Sequence, residues 1–212
     1  MKKNNTTSPL LEACVETLEQ AILAEKNGAH RIELCADLSV GGLTPSRELI
    51  TTVRQQLNIP VMVIIRPTPG GFVYTEPEIE EMKQAIDFCK KIKVAGVVLG
   101  ILTLDNEIDA EKTKALVDFA QPLQVTFHKA VDETTNPVRA TETLMQIPGI
   151  QRILTSGGAP TALEGKEVLK KMIAVSKGHL QILVAGKVTK ENLLEVIRET
   201  GAVEFHGRRI VF

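Results

Sequence analysis

Two pairs of residues raise the first chemical question. Glu12 and Cys14 in "LLEAC", and Glu33 and Cys35 in "RIELC", each place a carboxylate and a thiol two positions apart near the end of a short apolar run. Residues two apart share one face of a β-strand, so each pair would present an oxygen and a sulfur to the same side. Such a pair can ligate a metal, serve a catalytic site, or pack as ordinary core. Arg66 ends "PVMVIIR" on the face shared by Met62 and Ile64. An interior carboxylate needs a cationic partner, and Arg66 is the expected partner of Glu12 or Glu33. His128 closes "LQVTFH", with Asp132 four residues on: an imidazole able to exchange protons near neutral pH and a carboxylate able to fix its tautomer.

Weaker signals lie in the glycine-containing stretches. Ser156, Gly157 and Gly158 in "TSGG", and Gly186 with Lys187 in "AGKVTKENL", would offer backbone N–H groups or a helix start to an anion. Tyr74 follows Gly70 and Gly71 in "RPTPGGFVY", which reads as a mobile loop able to close over a ligand. His206 ends the last apolar run, where it would touch a ligand or cap a strand.

The elements that must position these residues repeat one rhythm. Eight apolar or β-branched runs, at 10–14, 30–35, 60–66, 94–99, 123–128, 151–155, 180–184 and 203–206, alternate with seven segments of helical period, such as Ile79, Met82, Ile86 and Cys89. Thr44 before Pro45, Asn136 before Pro137, Asp109 and Thr189 are the expected helix N-caps. Gly28, Gly178 and Gly201 stand where helices should stop in a left-handed turn. Repeated βα units demand parallel strands and right-handed crossovers, and eight of them predict an α/β protein with a closed TIM (β/α)8 barrel. In that fold chemistry gathers at the C-terminal ends of the strands, where Glu12, Cys14, Glu33, Cys35, Arg66, His128, Ser156 and His206 all fall. Only six residues follow His206, too few for a complete eighth helix. The flank so bared is expected to be buried against a second copy, a homo-oligomer with a dimer favoured.

Composition excludes several function classes. The chain has 212 residues, consistent with one barrel domain over 10–212 behind a disordered 1–9. Its 25 Lys+Arg against 26 Asp+Glu give a net charge of −1 without a basic run, so nucleic acid and anionic membrane are not the expected partners. The start, "MKKNNTTSP", has no apolar stretch behind it, and the longest apolar run, "AGVVLGIL", is too short to cross a bilayer. A cytoplasmic location is expected, with Cys14, Cys35 and Cys89 as free thiols.

"LEAC", "RIELCADLSVGGLTPS", "VIIRPTPGGFVY", "VTFHKAVD" and "ILTSGG" resemble, in order and spacing, the signature segments of the CutC family of copper homeostasis proteins, from about residue 10 onward. The resemblance implies a cytoplasmic TIM barrel of the short bacterial type with a link to copper, and it places the proposed Cu(I) ligands at Cys14 and Cys35. Thiolates suit that soft ion, while buried cysteines without function are common. Where the family carries a longer glycine run, this chain has Gly186 and Lys187, which would meet an anion with a point charge. Two readings follow: a Cu(I)-binding protein, and a barrel enzyme acting on a small anionic metabolite, phosphorylated ones included, through Glu33, Arg66 and His128, with Glu12 and Asp132 in support.

Overall fold

A computed structural model describes residues 8–212. Eight strands close into a barrel in chain order, each pair of neighbours parallel and β8 joined back to β1: β1 (Leu10–Val15), β2 (Arg31–Leu34), β3 (Val61–Ile64), β4 (Gly96–Leu99), β5 (Gln124–Phe127), β6 (Ile150–Thr155), β7 (Gln181–Val184) and β8 (Glu204–Gly207). Seven α-helices fill the crossovers: α1 (Leu18–Lys26), α2 (Arg47–Gln56), α3 (Glu76–Lys91), α4 (Ala110–Ala120), α5 (Pro137–Met145), α6 (Lys166–Ser176) and α7 (Leu193–Thr200). The TIM-barrel expectation is met. Ser8 and Pro9 precede β1 without regular structure, and residues 1–7 of the expected disordered segment lie outside the described residues.

Side-chain chemistry explains the boundaries. Asp109 accepts from the Lys112 N–H, and Asn136 accepts from Val138 and Arg139 ahead of a proline in the first turn, as the sequence suggested. Two expected caps differ. Ser46, not Thr44, caps α2 by accepting from Leu49, because the Thr44 hydroxyl instead accepts from the Arg66 N–H. Asn192, not Thr189, precedes α7, and its side chain turns back to accept from the Thr189 N–H. Gly28, Gly178 and Gly201 all take positive φ at helix ends, where any side chain would be strained.

The main core lies between strands and helices. Outward-facing Ile32, Val63, Val97, Phe127 and Phe205 are sealed beneath apolar faces such as Met82, Ile86 and Cys89 of α3, which accounts for the third cysteine as packing. The inside of the barrel is different. It divides into a patch of Cys14, Cys35 and Ile64, a patch of Leu154, Leu183 and Ala185, and a set of buried charges described below. After β8 no helix forms; Ile210 and Val211 fold into the core beside a bridge between Thr189 and Arg209. No helix of the described residues is long and apolar enough to cross a membrane.

Candidate metal and ligand site

Strand register builds the site layer by layer. Glu12 of β1 lies opposite Arg31 on one side and His206 of β8 on the other, and Cys14 lies opposite Glu33. Because interior positions recur every second residue, Arg31, Glu33 and Cys35 stack upward along one seam, while Glu204 and His206 stack along another. Deepest in the barrel, the Glu204 carboxylate accepts from Arg152 at 3.1 Å and from Arg31 at 2.9 Å. Arg31 also donates to Glu12, whose other oxygen meets His206 Nδ1 at 2.9 Å. His206 Nε2 is 3.6 Å from Glu33, and above them the Cys14 and Cys35 sulfurs are 3.8 Å apart. The result is a column of alternating charge that ends at two thiols.

The column sets the ionisation of the mouth. Burial works to raise Glu12, but Arg31 and His206 outweigh it and hold the carboxyl down at about 2. Burial opposes the charge on His206, yet Cys14, Glu12 and Glu33 keep it protonated well above the ordinary range of a histidine. Glu33 has no such partner as Arg31, and burial pushes it up to about 8, with Cys14 and Glu12 adding to the rise and His206 opposing it. The hydrogen bond from Cys35 pulls Cys14 down to about 5 against burial, with help from His206. The same bond, burial and Glu33 push Cys35 far up. Near neutral pH the pair therefore holds one thiolate and one thiol, beside a protonated Glu33 and a cationic His206.

These groups open onto a cavity of about 580 Å³ at the C-terminal mouth of the barrel, lined also by Ile64, Arg66, Phe72, His128 and Lys187. Several sequence expectations are revised here. Arg66 pairs with neither Glu12 nor Glu33; its guanidinium donates to the carbonyls of Val40, Gly42 and Gly70, tying two loops together. The cation that Glu12 uses is Arg31. His128 is not held by Asp132: its Nδ1 accepts from the Ala130 N–H at 3.2 Å, within the tight turn Lys129–Glu133. Asp132 instead accepts from Ser156 N–H and hydroxyl, from Gly158 N–H and from Thr155. The backbone donors of "TSGG" that were expected to cradle an anion are thus filled by this carboxylate, and the Gly157 N–H is taken by the Thr155 hydroxyl. Gly186 and Lys187 do line the cavity. Tyr74 is buried off the cavity, and Phe72 takes the place expected for it.

Arg31, Arg152 and Glu204 were missed by sequence reading, although the two-residue alternation that singled out Glu33 and His206 also selects Arg31 and Glu204. Among the described residues, two groups of side chains bring ligand atoms within 4.8 Å of one another: Cys14, Glu33 and Cys35, and Glu12, Glu33 and His206. The second group is already engaged with Arg31 and carries a protonated histidine, so it fits a metal poorly. The first fits a soft ion. With metal–sulfur bonds of about 2.3 Å, sulfurs 3.8 Å apart subtend roughly 110° at a shared ion, an angle suited to three- or four-fold coordination.

Comparison with known proteins agrees with this architecture. A family model described as the CutC family matches residues 9–211. The human protein named copper homeostasis protein cutC homolog is 44% identical over 197 residues, which cover 93% of this chain and 72% of that one. A CutC family protein of Histophilus somni is 39% identical, covering 92% and 80%. The solved structure of CutC from Streptococcus agalactiae superposes with a TM-score of 0.90 at 34% identity, over 95% of this chain and 99% of that one. Phosphoribosylanthranilate isomerase of Thermotoga maritima, at 15% identity and a TM-score of 0.60 over 94% and 86%, shares the barrel fold.

Proposed function

This chain belongs to the CutC family, whose relatives are named copper homeostasis proteins, and from that premise we propose that it takes up Cu(I) between Cys14 and Cys35 at the barrel mouth. The observation that carries the reading is the thiol pair: two cysteines on adjacent strand ends, 3.8 Å apart, one of them favoured as thiolate by its neighbour and by His206. Soft thiolates select Cu(I) over hard cations. Copper is here a cargo bound and passed on, so the residues act by holding it. Cys14 and Cys35 supply the sulfurs, Glu33 stands within reach as an oxygen neighbour, and His206, fixed by Glu12, balances thiolate charge from below. Binding would displace the proton held on Cys35, making uptake weaker in acid. A reducing cytoplasm is the compartment in which free thiols of this kind persist.

Anaerobic titration of the reduced protein with Cu(I), against a chromogenic Cu(I) chelator, tests the reading. One equivalent should bind, with affinity reduced by at least about 100-fold in Cys14→Ser/Cys35→Ser and by about 10- to 100-fold in His206→Gln, which leaves the sulfurs in place. Unchanged affinity in the double serine variant refutes it.

A further inference from the structure

Arg66 differs from the other buried arginines. Arg31 and Arg152 each meet glutamate, whereas Arg66, 5% exposed, has no carboxylate within 4.0 Å among the described residues. Three loop carbonyls and the ring of Phe72, 4.9 Å from Cζ, surround it. Carbonyl oxygens take three of its five N–H hydrogens but carry no net charge, and Nε has no acceptor. A buried cation without a counter-ion is costly to keep, so its retention calls for an anion from outside.

His128 supplies the second observation. Its Nδ1 is occupied as an acceptor, so the neutral ring must carry its hydrogen on Nε2. Burial and the Arg66 charge push its pKa down to about 3, which keeps the ring neutral at physiological pH. Nε2 is buried and has no partner. The ring of Phe72 lies 4.8 Å from that of His128 and also against Arg66, so one aromatic side chain packs on both. Arg66, His128 and Phe72 all line the cavity. At the rim, Lys187, Arg208 and Arg209 also lack carboxylate partners among the described residues and line the same cavity. Its inner surface, by contrast, is made by apolar groups such as Ile64, Leu154 and Val188.

We propose that the cavity binds a small organic anion, its carboxylate or phosphate group held by Arg66 and by the Nε2–H of His128, with its carbon body against Ile64, Leu154 and Val188. The site shares its cavity with the thiol pair, but its anion contacts, Arg66 and His128, are different residues and need no copper. About 580 Å³ is the room of a metabolite, far more than one metal ion needs. A guanidinium and a neutral N–H converging on one oxyanion form charge-assisted hydrogen bonds, and the unpaired rim cations would draw the ligand in.

Inorganic phosphate and succinate, titrated separately into the reduced, metal-free full chain, distinguish the two anion classes. Calorimetry gives affinity, and ring-nitrogen NMR follows His128. One probe should bind saturably, shift the His128 Nε2–H signal, and bind at least tenfold more weakly to Arg66→Gln and to His128→Phe. Because these titrations use metal-free protein and read Arg66 and His128, failure of the copper reading leaves this result intact, and the converse. Should Arg66→Gln fail to fold, His128→Phe alone decides, since it keeps a ring between Gly100 and Phe72. Absence of saturable binding by either probe, undiminished binding by the variants that fold, or a shift confined to His206 overturns the proposal.

Discussion

Glu12 and Glu33 are both glutamates on the barrel interior, 1% and 3% exposed, yet replacing each by glutamine should have opposite consequences. Glu33 is the more informative. Burial raises its carboxyl from the ordinary 4.5 to about 8, so the folded protein holds a proton that the unfolded chain releases. A carboxyl raised in the folded state contributes stability that is complete below its unfolded value and is lost as pH climbs toward the folded value. Between pH 5 and 8 the folded state binds one more proton, and the wild type loses a little over 1 kcal/mol per pH unit through this group, roughly 4 kcal/mol over that interval. Glutamine imitates the protonated acid in shape and charge but does not titrate. Glu33→Gln should therefore lie within about 1 kcal/mol of wild type near pH 5, then gain on it steadily and level off above pH 8. Urea unfolding of the reduced, metal-free proteins at pH 5.5, 6.5 and 7.5, with the difference in midpoint free energy plotted against pH, measures this directly. A difference that does not change with pH would mean that Glu33 is ionised throughout and that the reasoning about the mouth is wrong.

Glu12→Gln should behave in the other direction: it takes the near carboxylate from His206 and leaves Arg31 with Glu204 alone, and should cost about 3–5 kcal/mol at pH 7, measurable by the same unfolding experiment. Because Glu12 is held at about 2, its own contribution is present above pH 4.5 and disappears as pH falls toward 2, so the wild type should lose its advantage over Glu12→Gln in acid. Gly100→Ala would set a methyl 2.6 Å from His128 Nδ1 and 3.0 Å from Phe127, and should cost about 1–3 kcal/mol in thermal unfolding while displacing the His128 ring signals. Leu23 of α1, Leu194 of α7 and Val203 before β8 are exposed to 48%, 79% and 47% on elements bordering β1 and β8. A dimer formed there should be seen by light scattering and become monomeric in Leu194→Glu.

Much of this architecture was legible because period is written in every strand. Eight apolar runs predict the eight strands with boundaries that differ by at most two residues, seven amphipathic segments predict the seven helices, and alternation by two places Glu12 with Cys14 and Glu33 with Cys35. Partnerships were less legible, because they depend on register between strands and on how loops turn. Nothing local in "RIELC" says that Arg31 rather than Arg66 lies opposite Glu12; the pairing of β1 with β2 decides it. Asp132 looked like a partner of His128 from its spacing, but the turn at 129–133 carries its carboxylate across to the start of the β6–α6 loop. Arg66 was read as an ion-pair member, whereas its hydrogens go to carbonyls of two loops whose glycines take positive φ. The starts of α2 and α7 escaped for a similar reason: the Thr44 hydroxyl is engaged by the Arg66 N–H, and the chain between Thr189 and Asn192 forms a turn closed by the Asn192 side chain.

The alternating column inside the barrel also fixes which charge can be added at its upper end. Arg152, Glu204, Arg31, Glu12 and His206 sum to one positive charge. One thiolate at the mouth cancels it, which matches the singly ionised cysteine pair. A monovalent ion between two thiolates leaves the same zero total with Glu33 still protonated. A divalent ion leaves one charge over unless Glu33 also gives up its proton, which burial resists up to about pH 8. In an interior of low dielectric such an excess is penalised, so at the proposed thiol site the five residues of the column weigh toward a monovalent ion without needing to touch it.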